Sequence, residues 1–152
     1  MSEARIMLVG RTSCGKTSFC QAMRGQELRY QKTQTVQVVG SAIDTPGEYI
    51  ENRSLYRALV VTAADADLIV LVQSATDEQS VFAPGFVSMF QKPAIGLVTK
   101  VDLAPDTACR ERAAQWLGLA GCGRVFMVSN LSGEGVREVL AYLEGLGWEG
   151  DR

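Results

Sequence analysis

Histidine is absent from the chain. That removes the commonest general base and the imidazole ligand that most zinc sites use, so any chemistry has to rest on other groups. Cysteine is sparse: Cys14, Cys20, Cys109 and Cys122 form no C-x-x-C pair. With no histidine beside them they read as free thiols, neither a zinc site nor a disulfide framework. No apolar run approaches the roughly 20 residues that span a bilayer, and the first apolar run begins too early to leave room for a signal peptide. The expectation is a cytoplasmic protein with no membrane partner. There is also no basic tail, and the formal charge of −2 gives no pull toward nucleic acid.

What is present is the composition of a globular protein, 47% hydrophobic and 21% charged over 152 residues. A chain of that length is expected to fold as one domain and to bury a core without covalent staples. Apolar runs at 6–9, 36–43, 68–72, 94–99 and 124–128 read as strands. Between them, 18–24, 52–64, 81–90, the stretch from a cap at Asp106 or Thr107 to Leu117, and 134–143 carry helical spacing. Leu55, Leu59 and Val60 are expected on one helix face, and Gly118 is expected to stop the fourth helix. Such alternation predicts a three-layer α/β fold around a mostly parallel sheet, which binds ligands at the carboxyl ends of its strands.

The first strand runs into Gly10-Arg11-Thr12-Ser13-Cys14-Gly15-Lys16-Thr17, followed by Ser18 and an apolar helical pattern. Strand, glycine loop and helix in that order are the context of a phosphate-binding P-loop. Gly10 allows a sharp turn, and Gly15 lets the backbone approach a phosphate without a Cβ in the way. Loop and helix N–H groups then converge on one anion site. Lys16 adds a cation for the β- and γ-phosphates, and the Thr17 hydroxyl is a hard ligand suited to Mg²⁺. A nucleoside triphosphate with Mg²⁺ is the ligand implied. Cys14 reads either as an oxidation-sensitive thiol in an electropositive loop or as small apolar filler.

Three further motifs fall at expected strand ends. Asp44-Thr45-Pro46-Gly47 offers a carboxylate placed to hold Mg²⁺ through water and a glycine N–H for the γ-phosphate. In Thr99-Lys100-Val101-Asp102, a carboxylate can accept both N1–H and the 2-amino group of guanine, neither of which adenine presents. Lys100 is expected to lay its stem along the nucleotide and tie back to the glycine loop. Ser129-Asn130-Leu131-Ser132-Gly133-Glu134-Gly135 is expected to offer backbone N–H groups at the base, with Asn130 where the guanine O6 can be met, although Ser132 and Gly133 also read simply as the start of the last helix.

With these four motifs in order, the whole chain resembles the small Ras-like, translation-factor-related GTPases, and within them the EutP/PduV family associated with bacterial microcompartments. Lys32-Thr33-Gln34, the short gap to Ile43-Asp44-Thr45-Pro46-Gly47-Glu48-Tyr49 and the compact length carry the narrower resemblance. It implies GTP or GDP as ligand, a metal set of Thr17, Thr33 and Asp44, and a hydrolytic set of Lys16, Thr33, Gly47 and Glu48. Thr35 stays open beside Thr33 for the second motif. It also implies a slow GTPase or switch in ethanolamine- or propanediol-type metabolism, docking on a shell or enzyme partner. ATP-dependent acetate kinase activity is the alternative it carries, and a nucleotide-bound recruitment module without turnover is a third reading.

The sequence departs from the wider pattern twice. About ten residues separate Thr33 or Thr35 from Asp44, too few for two ordinary strands and a turn, so the antiparallel edge strand is expected to be shortened or missing. Glu48 stands where Ras-like enzymes carry a water-orienting glutamine. A carboxylate of pKa about 4.3 is a feeble base, and a triphosphate repels it, so intrinsic hydrolysis is expected to be slow. Arg53 or Arg57, or an arginine from a partner, can serve as a finger; each also reads as a solvated helix residue.

Overall fold

A computed structural model describes residues 5–11, 16, 19, 37–39, 42–103, 106–129 and 135–146. Its strands are β1 (Ile6–Val9), β2 (Gln37–Val39), β3 (Ala42–Asp44), β4 (Leu68–Ser74), β5 (Ala94–Thr99) and β6 (Arg124–Met127). They form one sheet in the order β2-β3-β1-β4-β5-β6. β1 and β3 to β6 run parallel, and β2 pairs antiparallel with β3. β1 and β4 are buried at every position, as expected of central strands covered on both sides.

The pleat divides the apolar residues between two layers. Ile6, Leu8, Val70 and Val72 face a cluster with Phe19 and with Val136, Val139 and Leu143 of helix α4 (Val136–Gly145). Met7, Val9, Ile69 and Leu71 face the other side. They pack there with Leu59 and Ala63 of α2 (Tyr56–Ala63) and with Ala113, Leu117 and Ala120 of α3 (Thr107–Ala120). A single turn of helix, α1 (Glu48–Glu51), follows β3. This is the three-layer α/β arrangement that the alternating pattern predicts.

Several local expectations need correction. The single strand expected at 36–43 is an antiparallel pair of three-residue strands, Gln37 opposite Asp44 and Val39 opposite Ala42. The edge strand is therefore shortened, not missing. The helix expected at 81–90 is replaced by turns and one 3-10 turn, Phe86–Met89. Phe82, Phe86 and Phe90 recur every four residues and imitate a helix face. Pro84 disfavours helical geometry at the residue before it, and Gly85 takes φ +75°. The three rings touch in series, tilted and then edge-to-face, with centroids 5.2 and 5.5 Å apart, and Tyr56 meets Phe86 edge-on.

Asp106 caps α3 by accepting from the Cys109 N–H at 3.1 Å, but the helix runs past Gly118 and ends at Gly121, whose φ is +116°. Gly121 is free to adopt the left-handed conformation in which its N–H meets the Leu117 and Gly118 carbonyls. The expected helix over 52–64 begins as a 3-10 turn, Arg53–Leu55, capped by Asn52, and Val60 is exposed, not on the buried face. The last helix starts at Val136. Among the described cysteines, Cys109 and Cys122 are free. Burial pushes the Cys122 thiol up to about 12.

Candidate functional site

Every described residue of the four motifs lies at the carboxyl edge of the parallel strands. β1 delivers Gly10 and Arg11, and Lys16 follows in helical conformation. Lys16 is buried, and its Nζ donates to the Gly10 carbonyl at 2.7 Å and to the Arg11 carbonyl at 3.3 Å. A buried ammonium folded over the start of its own loop is a positive charge held where the strand ends. Thr12, Ser13, Cys14, Gly15, Thr17 and Ser18 lie outside the described residues.

β3 places Asp44 beside Leu8, and the carboxylate is 1% exposed. Thr45, fully buried, ties this strand end to the neighbouring one twice: its N–H and its Oγ1 both donate to the Leu8 carbonyl, at 3.3 and 2.7 Å. Gly47 is buried, and its carbonyl accepts from the amides of Ile50 and Glu51 in the turn that follows. Glu48 opens that turn. Thr33 and Thr35, the candidates for the second motif, lie outside the described residues. Arg53 and Arg57 are exposed.

β5 and β6 deliver the other half. Lys100 takes the left-handed conformation, φ +58°, which turns the chain sharply off β5 into a 3-10 turn, Val101–Leu103. Such a conformation is costly for a side-chain-bearing residue, and neighbouring bonds hold it in place. Val101 N–H donates to the Val128 carbonyl, and Arg110 Nη2 donates to the Val101 carbonyl at 2.8 Å. Asp102 is thereby set facing Ser129, whose Oγ donates to Asp102 Oδ1 at 2.7 Å. That bond holds one carboxylate oxygen in place. The tie expected between Lys100 and the glycine loop, and the contacts of Asn130 and Leu131, involve residues outside the described ones.

A middle segment that sequence reading passed over joins the two halves. Gln73 is fully buried in β4, its Nε2 donating to Asp77 Oδ2 at 2.9 Å and to the Gln79 carbonyl, while its Oε1 accepts from the Val81 N–H. Asp77 lies 3.9 Å from the Arg11 guanidinium, a half-exposed pair of little energetic weight. The Asp77 carbonyl accepts from Arg112 Nη2. The available signal was a glutamine in an otherwise apolar strand: a buried amide needs partners, and a loop folded back over the strand end supplies them.

A strand ending at Gly10 with a buried, helix-borne lysine beyond it, a buried aspartate on the adjacent strand and an aspartate–serine pair two strands away fit the fold of a P-loop GTPase. Solved structures agree with this at the level of fold. Aquifex aeolicus Era bound to GDP and AlF4⁻ superposes with a TM-score of 0.66 over 99% of this chain, at 16% identity. A bacterial selenocysteine-specific elongation factor gives 0.70 over 96%, also at 16%. The chain spans 59% and 29% of those two proteins.

The family follows from sequence. The model of the PduV-EutP family, described as "Ethanolamine utilisation - propanediol utilisation", matches residues 3–145, and the chain belongs to that family. It is 49% identical to the propanediol utilization protein PduV of Citrobacter freundii, over 91% of this chain and 92% of that one. It is 31% identical to the probable acetate kinase EutP of Salmonella typhimurium, over 93% and 90%. Against the GTPase Era of Rhizobium meliloti it is 30% identical over 91% of its own length and 50% of the relative's.

Proposed function

We propose that this chain is a single-domain, Mg²⁺-dependent guanine-nucleotide-binding protein, a slow GTPase and switch acting at a bacterial microcompartment of the ethanolamine or propanediol type. The observation that carries the reading is Asp102, held by Ser129 at the end of β5, on the same sheet edge as Lys16. An oriented carboxylate there accepts two N–H groups from guanine. Against adenine it meets an acceptor at N1 and no 2-amino group, leaving it unpaired.

The side chains divide the work. Lys16 and the N–H groups of residues 10–18 bind the phosphates, and Asp102 with residues 129–131 binds the base. The donor set fits a hard divalent cation. Asp44 brings a buried carboxylate to the end of β3, and Thr17 and Thr33 add hydroxyl oxygens, so Mg²⁺ would be held by these three with the phosphates. When bound, the ion neutralises charge on the β- and γ-phosphate oxygens. Thr45 holds Asp44 and Gly47 in register with the strand that feeds the phosphate loop. Glu48 in place of an amide side chain makes turnover slow without help, and Arg53, Arg57 or a partner's arginine is the source of that help. Departure of the γ-phosphate would release residues 27–35 and 47–56, the segments a shell or enzyme partner would read.

A competition titration tests the reading: GTP should displace labelled GTP at least roughly a hundredfold better than ATP does, and Asp102→Asn should shift preference toward xanthine nucleotides. Equal displacement by ATP would overturn it. ATP-dependent phosphorylation of acetate is a second reading, favoured by the 31% identity to a probable acetate kinase. Trapping of acetyl phosphate from acetate and ATP, abolished in Lys16→Ala, would establish it.

A further inference from the structure

The opposite edge of the sheet carries a concavity that the nucleotide reading does not use. It has a volume of about 450 Å³, within the range of small-ligand pockets, and lies where β4, β5 and β6 begin. Leu68, Pro93 and Ala94 give it an apolar floor, and Lys92, Arg124 and Tyr142 line it with polar heads. The strands run about 3.3 Å per residue, so the six residues of β5 put this hollow roughly 20 Å from Thr99 and the base-recognition end. No group bound here can reach the γ-phosphate end of the sheet.

The two cations are prepared in a way that solvated surface charges are not. The Arg124 guanidinium lies 5.0 Å from the Phe126 ring centroid and 5.3 Å from that of Tyr142. The two rings hold the guanidinium in place beside the hollow, and its planar fork is the group that grips a carboxylate or phosphate with two parallel bonds. Lys92 Nζ donates to the Ala66 carbonyl at 2.7 Å, which anchors the ammonium and leaves two of its three donors. Among the described residues, no carboxylate lies within ion-pair distance of either cation. Two anchored positive charges over an apolar floor, with no acid among the described residues paired to them, attract an anion with an apolar body.

We infer that this hollow is a second ligand site, taking a small organic anion: a carboxylate or phosphate head between Lys92 and Arg124, with a short hydrocarbon or aryl body over Leu68, Pro93 and Ala94. Its position makes it an effector or anchoring site and not a place of phosphoryl transfer. A carboxylate substrate of the kinase reading would have to bind elsewhere.

The probe is phenyl phosphate, titrated into ¹⁵N-labelled full-length protein held with excess Mg²⁺ and nucleotide so that the phosphate loop is filled. The expected result is saturable shifting of the amides at 92, 94, 121–124 and 142, weakened roughly tenfold or more in Arg124→Gln and in Lys92→Gln. The variants' remaining amide spectra should overlay the parent's. Arg124→Lys keeps the charge without the planar fork and should bind between the two extremes. Benzyl alcohol should leave the same amides unmoved, and inorganic phosphate alone should bind more weakly than phenyl phosphate. Equal effects from the neutral probe would overturn the anion assignment, and equal affinity for inorganic phosphate would overturn the apolar floor. Shifts confined to residues 10–18, or persistence of binding in both glutamine variants, would overturn the site.

Discussion

Replacing Gly135 by alanine tests how tightly the sheet end that carries Asp102 and Ser129 is built. Gly135 precedes α4 with φ +77°, and a Cβ there would collide with the Met127 carbonyl oxygen and stand 3.2 Å from Val128 Cγ1. Two costs add. An L-residue in the left-handed region loses about 1–2 kcal/mol, and forcing atoms into a packed backbone costs typically about another 1–3 kcal/mol. The sum, about 2–5 kcal/mol, is a large share of the roughly 5–15 kcal/mol that holds a domain folded. At about 2–4 °C per kcal/mol for a chain of this size, the melting temperature should fall by about 4–20 °C, read by circular dichroism. The obstacle is backbone, not a side chain that can swing away. Relief must therefore displace 127–128, whose amides and carbonyls tie to Val98 and Val101 and position Ser129 against Asp102. The variant should consequently lose guanine affinity beyond what its lower stability explains. A melting temperature within about 2 °C of the parent, with unchanged nucleotide binding, would refute the reasoning.

Gly118→Ala should act in the opposite direction: the glycine is inside α3, and a Cβ added there would have nothing within 4 Å. Alanine should stabilise by about 1 kcal/mol and raise the melting temperature by about 2–4 °C. Thr45→Val keeps the side-chain shape but deletes the hydroxyl bond to Leu8. It should cost about 1 kcal/mol in urea unfolding, and Thr45→Ser should restore most of that. The Cys109 amide, foremost, holds the Asp106 carboxyl below its ordinary 3.8. A depressed acid stabilises the fold above its unfolded value and loses that contribution as pH falls through its folded value. The stability margin of the parent over Asp106→Ala, measured by urea midpoint, should therefore be steady near neutrality and shrink below the ordinary carboxylate range. Asp106→Asn, which caps without titrating, should show no such loss.

The local sequence decided most of what depends on neighbours along the chain. Continuous apolar runs marked β4 and β5 because a buried parallel strand tolerates no polar alternation, and Asp106 announced its helix because a capping carboxylate acts within three residues. The motifs holding Lys16, Asp44 and Asp102 stood out for the same reason, as spaced patterns, and strand ends bring these three described residues to one edge. Tertiary structure decided the rest. Whether residues 36–43 form one strand or two depended on β1 being available as a partner for Ala42–Asp44 alone. The phenylalanines at 82, 86 and 90 share a helical period but are held by packing against Tyr56 and one another across a left-handed glycine. The Thr45 bond to Leu8, the Gln73 bonds to the loop beyond β4 and the cation-lined hollow beneath β4–β6 all join residues from separate segments. No periodicity encodes such contacts, because they come into being only when the sheet sets those segments side by side.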